Sequence, residues 1–263
     1  MGLTIDIDTG GTFTDGFVAS GGEVRTVKVP TTPHDLTRCF IDCIEAGAAA
    51  FGRDVSDFLY ETDIIRFSNT IGTNTIIQRN GAKIGLLVTA GQEALAPTQP
   101  EHDKAALVTD DMVIGITEET GADGTVRVAP DRAAILDAAQ ALVDRGARGL
   151  VVALGNSDLN PANERSVRDI IKAEYPRDYL GSVSTFLASD ISARSGAGER
   201  VNAAVLNAYI HSKLARLLYK AGEELRQRGY RGTLLIGHNN CAVARVAKTR
   251  AINTYNSGPT CGL

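Results

Sequence analysis

Apolar and polar positions alternate from the start of the chain. Leu3, Ile5 and Ile7 interleave with Thr4, Asp6 and Asp8, Gly10-Gly11 makes a tight turn, and the alternation resumes over residues 12–19. Gly21-Gly22 marks a second hairpin into residues 24–29, closed by Pro30 and Pro33. The spacing of Phe40, Ile44 and Ala48 predicts a helix over 35–51. An apolar strand at 64–67, a helical segment at 70–79 and a buried strand at 84–88 follow, which gives the order β-β-β-α-β-α-β. Between 91 and 130 the pattern weakens around Pro97, Pro100 and the glycines at 121 and 124, as in an insertion or lid. Alternation then returns as a helix over 131–145, a strand at 149–154, a helix from Asn160-Pro161 to about 174 and a strand at 179–183. A long helix over 199–228 ends at Gly229, a strand begins at 234–236 and another is expected at 251–255. This is an α/β pattern. A lobe boundary is expected near 185–200: residues 1–190 form a first lobe with its insertion, and 191–263 begin a second.

Composition adds exclusions. The 263 residues are 43% hydrophobic and 22% charged, as in ordinary globular proteins, and a net charge of −4 provides no basic field for nucleic acid. No apolar stretch approaches the ~20 residues that span a bilayer. The 4 cysteines, at 39, 43, 241 and 261, form neither a disulfide framework nor a CxxC metal pair, so a cytoplasmic location is the simplest expectation. Cys39 and Cys43 share a helix face and read as packing. None of His34, His102, His211 and His238 pairs at metal-ligand spacing.

Three stretches carry candidate chemistry. In Asp8-Thr9-Gly10-Gly11-Thr12-Phe13-Thr14-Asp15, a carboxylate at a strand end precedes glycines that let backbone N–H groups approach an anion, with hydroxyls beyond. Asp8 would hold hydrated Mg²⁺, and Thr12 and Thr14 would donate to phosphate. The same residues also make an ordinary polar turn, and the spacing alone leaves both readings open. The glycines sit between strands, unlike those of a P-loop or a dinucleotide site. Ser68-Asn69-Thr70-Ile71-Gly72-Thr73-Asn74 puts hydroxyls and amides at a strand-to-helix junction, suited to a polar ligand or simply to capping. The third stretch is Asn256-Ser257-Gly258-Pro259-Thr260-Cys261-Gly262, another glycine turn.

With Arg79 and Gly81, Leu159-Asn160-Pro161 with Glu164, and Leu206-Asn207-Ala208-Tyr209, these stretches occur in the order seen in the hydantoinase A/5-oxoprolinase family, which the chain resembles over nearly its whole length. Thr62-Asp63-Ile64-Ile65-Arg66, Ser189-Asp190-Ile191-Ser192 and Lys248-Thr249-Arg250 look most like the ATP-dependent acetone and acetophenone carboxylases. The resemblance implies an RNase-H-like lobe of the actin-like ATPase superfold, with a mixed sheet flanked by helices, plus an incomplete second lobe. It implies ATP and Mg²⁺ as cofactors and phosphorylation of an enolate or bicarbonate. Larger carboxylase subunits would be the partners, in a hetero-oligomer taking a ketone and bicarbonate. An amide-hydrolysing subunit of the hydantoin or oxoproline type, or a non-catalytic scaffold, are the alternatives. On this reading Asp8, Thr73 and Asn74 are catalytic, Asp8 holds the metal, and Gly10, Gly11, Thr12, Thr14, Thr70, Ser257, Gly258 and Gly262 hold phosphate. The chain departs from the family in Gln78, where Glu is usual, and in Asn239-Asn240-Cys241-Ala242, where Ser-Asp-Gly-Gly is usual. Small residues precede Arg200 where an aromatic is usual, and relatives run on well past the Ser-Gly-Pro turn.

Overall fold

The computed structural model describes residues 2–96, 98–99, 107–176 and 182–258. It contains two compact units, one of residues 1–77 and 213–263 and one of residues 78–212.

The first unit is built on a six-stranded mixed sheet in the order β14-β13-β4-β1-β2-β3. Strands β1 (Leu3–Thr9), β2 (Phe13–Ser20) and β3 (Glu23–Pro30) form an antiparallel meander. Gly21 and Gly22 turn its second hairpin at φ of 58° and 89°, a conformation that costs other residues strain. Helix α1 (Leu36–Ala50) starts at Asp35, whose carboxylate accepts from Thr37 N at 3.2 Å. It lays Cys39, Phe40, Cys43, Ile44 and Ala48 on the sheet face that carries Ile5, Ile7 and Val18. Phe40 meets Phe67 with ring centroids 4.6 Å apart. Helix α2 (Val55–Glu61), which the pattern missed, leads into β4 (Thr62–Asn69), parallel to β1. After β4 comes the short helix α3 (Ile71–Ile77).

The second unit carries a four-stranded parallel sheet in the order β12-β11-β5-β8. Strands β5 (Ile84–Thr89) and β11 (Gly149–Ala153) are buried along nearly their whole length, as continuous apolar runs in a covered parallel sheet should be. Between them lie the two-residue strands β6 (Thr98–Gln99) and β7 (Val108–Thr109), then β8 (Val113–Ile116), the hairpin of β9 (Glu119–Thr120) and β10 (Val126–Val128), and helix α4 (Arg132–Asp144). Helix α5 (Ala162–Glu174) connects β11 to β12 (Ser184–Leu187), which is followed by α6 (Ala188–Ile191). The region read as an insertion over 91–130 thus contributes a strand, β8, to the sheet itself. Of the strand expected at 179–183, residues 179–181 lie outside the described residues.

Glu164 fastens this unit. Its fully buried carboxylate accepts from Leu154 N and Ser189 N, both at 3.0 Å, and from the Ser189 hydroxyl at 2.6 Å. Burial raises its pKa, and these donors oppose that shift. A second buried link is the Arg200–Asp158 ion pair at 2.9 Å. Gly81 lies where an added Cβ would meet the Tyr209 ring at 2.4 Å, and Ala82 N donates to Tyr209 O at 3.1 Å.

Helix α7 (Ala197–Gln227) belongs to the second unit up to Ser212 and to the first from Lys213. Gly229 at φ 89° closes it, with Tyr230 N returning to Leu225 O at 3.0 Å. Lys220 holds Asp35 at 2.6 Å. Strand β13 (Thr233–Gly237) then pairs parallel with β4, and β14 (Val243–Arg245) pairs antiparallel with β13. The RNase-H-like α/β class expected from the sequence is the one observed. Strand β13, which lies in the residues expected to open a second lobe, joins the six-stranded sheet, where it finds its partner in β4, far back along the chain. Residues 251–254 form a 3₁₀ turn instead of the expected strand.

Two substitutions test this packing. An added Cβ on Gly16 would lie 2.5 Å from Cys43 Sγ and 2.8 Å from Val27 Cγ2. Gly16→Ala must push α1 off the hairpin, at about 1–3 kcal/mol, and a lowered thermal midpoint checks it. Glu164→Ala strips the buried acceptor from Leu154 N and Ser189 N and is expected to cost about 3 kcal/mol or more in chemical denaturation.

Candidate functional site

The parallel register of β1 on β4 sets Asp8 opposite Ser68 and Thr9 opposite Asn69. Strand alternation sends Thr9 into the core and Asp6 and Asp8 to the other face. On that face Asp6, Asp8, Asp15, Phe17, Arg66 and Ser68 line a groove of about 890 Å³. Arg66 makes a two-pronged ion pair with Asp6, its Nη2 donating at 2.8 Å.

Asp8 is the unusual group here. Its Oδ1 is buried and has no hydrogen-bond partner. Burial raises its pKa above 3.8, the nearby Ser68 hydroxyl pulls it back, and the negative charge of Asp15 adds to the rise. Gly258 comes so close that a Cβ there would lie 3.1 Å from Asp8 Oδ1. Ser257 is buried beside it, with its hydroxyl 3.3 Å from that of Ser68. The Asp8 strand end and the Ser257-Gly258 turn are therefore brought together across most of the chain. A buried acceptor with no donor keeps lone pairs that a cation could use.

The glycine turn lies next to Asp8. Gly10 N donates to Phe13 O at 3.0 Å, closing the turn, while the N–H groups of Gly11 and Thr12 meet no acceptor among the described residues. Thr12 is exposed. Thr14 is not with it: strand alternation turns Thr14 into the core, where its hydroxyl bonds Thr9 at 3.4 Å and Thr31 at 3.0 Å. Its expected place among the phosphate ligands is replaced by a structural one.

At the β4–α3 junction Thr70 donates to Thr9 O at 3.2 Å, Asn74 Nδ2 donates to the Thr70 hydroxyl at 3.3 Å, and Asn256 N donates to the Thr73 hydroxyl at 3.3 Å. Thr70, Thr73 and Asn74 thus tie the ends of β1 and β4 to the segment before Ser257. Asn69, missed as a site residue, is buried there with an unpartnered Nδ2. Gly262 and Cys261, together with Pro259, Thr260 and His102, lie outside the described residues. Gln78 is exposed and accepts from Asn80 Nδ2 at 2.9 Å. His238 is buried with its ring 3.2 Å from the Thr249 hydroxyl, and burial lowers its pKa. Cys241 lines the groove at φ 62°, a left-handed position that a glycine fills more easily. Cys43 is buried, its thiol pushed up to about 12 by desolvation.

Known proteins resemble this chain in sequence and fold. The chain is 36% identical to the gamma subunit of acetophenone carboxylase from Aromatoleum aromaticum, over 99% of its length and 38% of that protein's. It is 28% identical to the acetone carboxylase beta subunit of Xanthobacter autotrophicus, over 86% of this chain and 34% of the other. It is 26% identical to the alpha subunit of caprolactamase from Pseudomonas jessenii, over 97% and 38%. Among solved structures, nucleotide-free acetone carboxylase and the ATP-dependent caprolactamase of P. jessenii each superpose with a TM-score of 0.86, at 25% and 26% identity, over 98% of this chain and 39% of theirs. The chain spans less than two-fifths of the length of these relatives. The family model for the hydantoinase/oxoprolinase N-terminal region matches residues 4–175, a stretch that holds the Asp8 strand, the glycine turn and the β4–α3 junction, and the chain belongs to that family.

Proposed function

We propose that this chain supplies the ATP-binding lobe of an ATP-dependent ketone carboxylase of the acetone or acetophenone type, acting in the cytoplasm with larger subunits. The buried, unpartnered Asp8 Oδ1 beside Gly258 carries the reading. Asp8 would hold Mg²⁺, and the N–H groups of Gly11 and Thr12 with the Thr12 hydroxyl would face phosphate. Gly10 shapes that turn. Ser257 and Gly258 close the pocket over Asp8, and the absence of a side chain at Gly258 leaves the carboxylate room for a ligand. Thr70, Thr73 and Asn74 hold the two strand ends at fixed spacing, the kind of preorganisation that phosphoryl transfer requires. When bound, Mg-ATP would supply the phosphoryl group that activates a ketone enolate or bicarbonate for carbon–carbon bond formation elsewhere in the complex.

A second reading is favoured by the equal superposition on caprolactamase. There the same lobe would serve phosphorylation of an amide oxygen before hydrolysis. ATP turnover stimulated by ketone plus bicarbonate supports the first reading; turnover stimulated by lactams supports the second.

The test is calorimetric titration of Mg-ATP into the chain copurified with its partners. Asp8→Asn is expected to weaken Mg²⁺-dependent binding by roughly ten-fold or more. Parental affinity in that variant would overturn the proposal. A folded-state pKa raised above 3.8 means that the folded protein holds the proton more tightly than the unfolded chain. Stability therefore falls as pH rises from the unfolded to the folded value, and at neutral pH ionised Asp8 is a net cost when no cation is present. Asp8→Asn should accordingly leave the ligand-free thermal midpoint at pH 7 unchanged or higher, separating loss of ligand from loss of fold. Gly258→Ala, which sets a methyl group 3.1 Å from Asp8 Oδ1, should weaken binding while the protein stays folded, as read by circular dichroism.

A further inference from the structure

The parallel sheet of the second unit runs β12-β11-β5-β8. In chain order the first strand, β5, lies between the second, β8, and the third, β11, so the connections leave β5 and β11 in opposite directions. This is the strand order of doubly wound sheets that bind ligands at the carboxyl ends of the two strands flanking the reversal. A cavity of about 200 Å³ lies at that point. Thr89 at the end of β5, Gly155 and Asn156 just past β11, and Glu118 just past β8 all line it, with Gln92 and Arg127.

Its polar groups are locked in place. Gly155 N donates to the Thr89 hydroxyl at 2.8 Å, and Thr89 in turn donates to Glu118 Oε1. Asn163 Nδ2 donates to Glu118 Oε2 at 2.6 Å. Asn156, held at φ 52°, donates from its amide to Thr120 O at 2.7 Å. A Cβ on Gly155 would stand 3.2 Å from Gln92 Nε2, so the glycine lets the strand end approach that amide.

The charge in this cavity is unbalanced. Glu118 is only 6% exposed, the groups that donate to it, the Thr89 hydroxyl and the Asn163 amide, are neutral, and it takes part in no ion pair among the described residues. The cavity's cation, Arg127, is engaged by Glu119 at 2.9 Å. A carboxylate held away from water by neutral donors alone keeps spare lone pairs and an uncompensated charge. We infer that this crevice is a second ligand site, distinct from the Asp8 groove, for a small organic ammonium compound whose N–H groups dock on Glu118. The volume admits only a small molecule. The inference does not depend on the nucleotide reading.

The experiment follows backbone amide NMR shifts of Thr89, Gly155 and Asn156 in the whole chain during titration with glycinamide, acetamide or glycolate. Saturable shifts are expected with glycinamide, the ammonium probe, and not with neutral acetamide or anionic glycolate. Glu118→Gln should weaken glycinamide binding at least ten-fold. Ala122→Trp, which fills the mouth of the cavity from an exposed position, should abolish binding without lowering the thermal midpoint. The inference is overturned if no probe saturates, if all three bind alike, or if Ala122→Trp binds glycinamide as the parent does. If Glu118→Gln fails to fold, the Ala122→Trp result decides.

Discussion

The parallel pairing of β1 with β4 is the constraint on which the rest of the first unit depends. It joins segments about sixty residues apart in register, so that Asp8 faces Ser68 and Thr9 faces Asn69. With that register set, Phe67 falls on the side of Phe40 and helix α1, while Asp6, Asp8, Arg66 and Ser68 share the groove face. A slip of one residue would exchange the two faces and bury Asp8 in the apolar layer. Strand β13 then adds to β4, and the chain beyond it returns Ser257 and Gly258 to Asp8. Within the first unit, the site is thus assembled by sheet register.

Local signals in the sequence reveal much of this. Alternation in residues 3–8, the double glycines and the 3.6-residue period of α1 give β1, the hairpins and the helix within a residue or two, because each depends on neighbours in the chain. Long-range pairing leaves no such mark. Nothing in Leu234-Leu235-Ile236 says that its partner is Ile65-Arg66-Phe67. The candidate site is legible in the same measure. The pattern that identifies Asp8 as outward also places Thr14 inward, since Thr9 and Thr14 are register partners on the buried face. Alternation read across the hairpin, instead of residue type alone, separates Thr14 from Thr12.

Several residues of the stretches on which the resemblance rests serve architecture. Gly81 and Tyr209 pack on one another, Glu164 gathers the donors of Leu154 and Ser189, and Arg200 is pinned by Asp158. These contacts lie inside the second unit. Each is a buried polar or close-packed contact whose partners are supplied by the fold, so losing one partner strands the other.

Glu164 and Asp8 show how burial alone fails to identify chemistry. Desolvation raises the pKa of both carboxylates. Glu164 accepts from donors on two segments, Leu154 just past β11 and Ser189 on α6, and its acceptor capacity is used to hold β11, α5 and α6 together. Asp8 keeps an oxygen that the protein leaves unmatched, in a position where a glycine, and no larger residue, stands over it. A fold that needed this carboxylate only for structure would gain stability by giving that oxygen a donor. The hydroxyls of Ser68 and Ser257 lie 3.3 Å from each other, and Asp8 Oδ1 is left with its acceptor capacity unused. Between these two carboxylates it is the unsatisfied oxygen, and not the raised pKa, that sets Asp8 apart from Glu164.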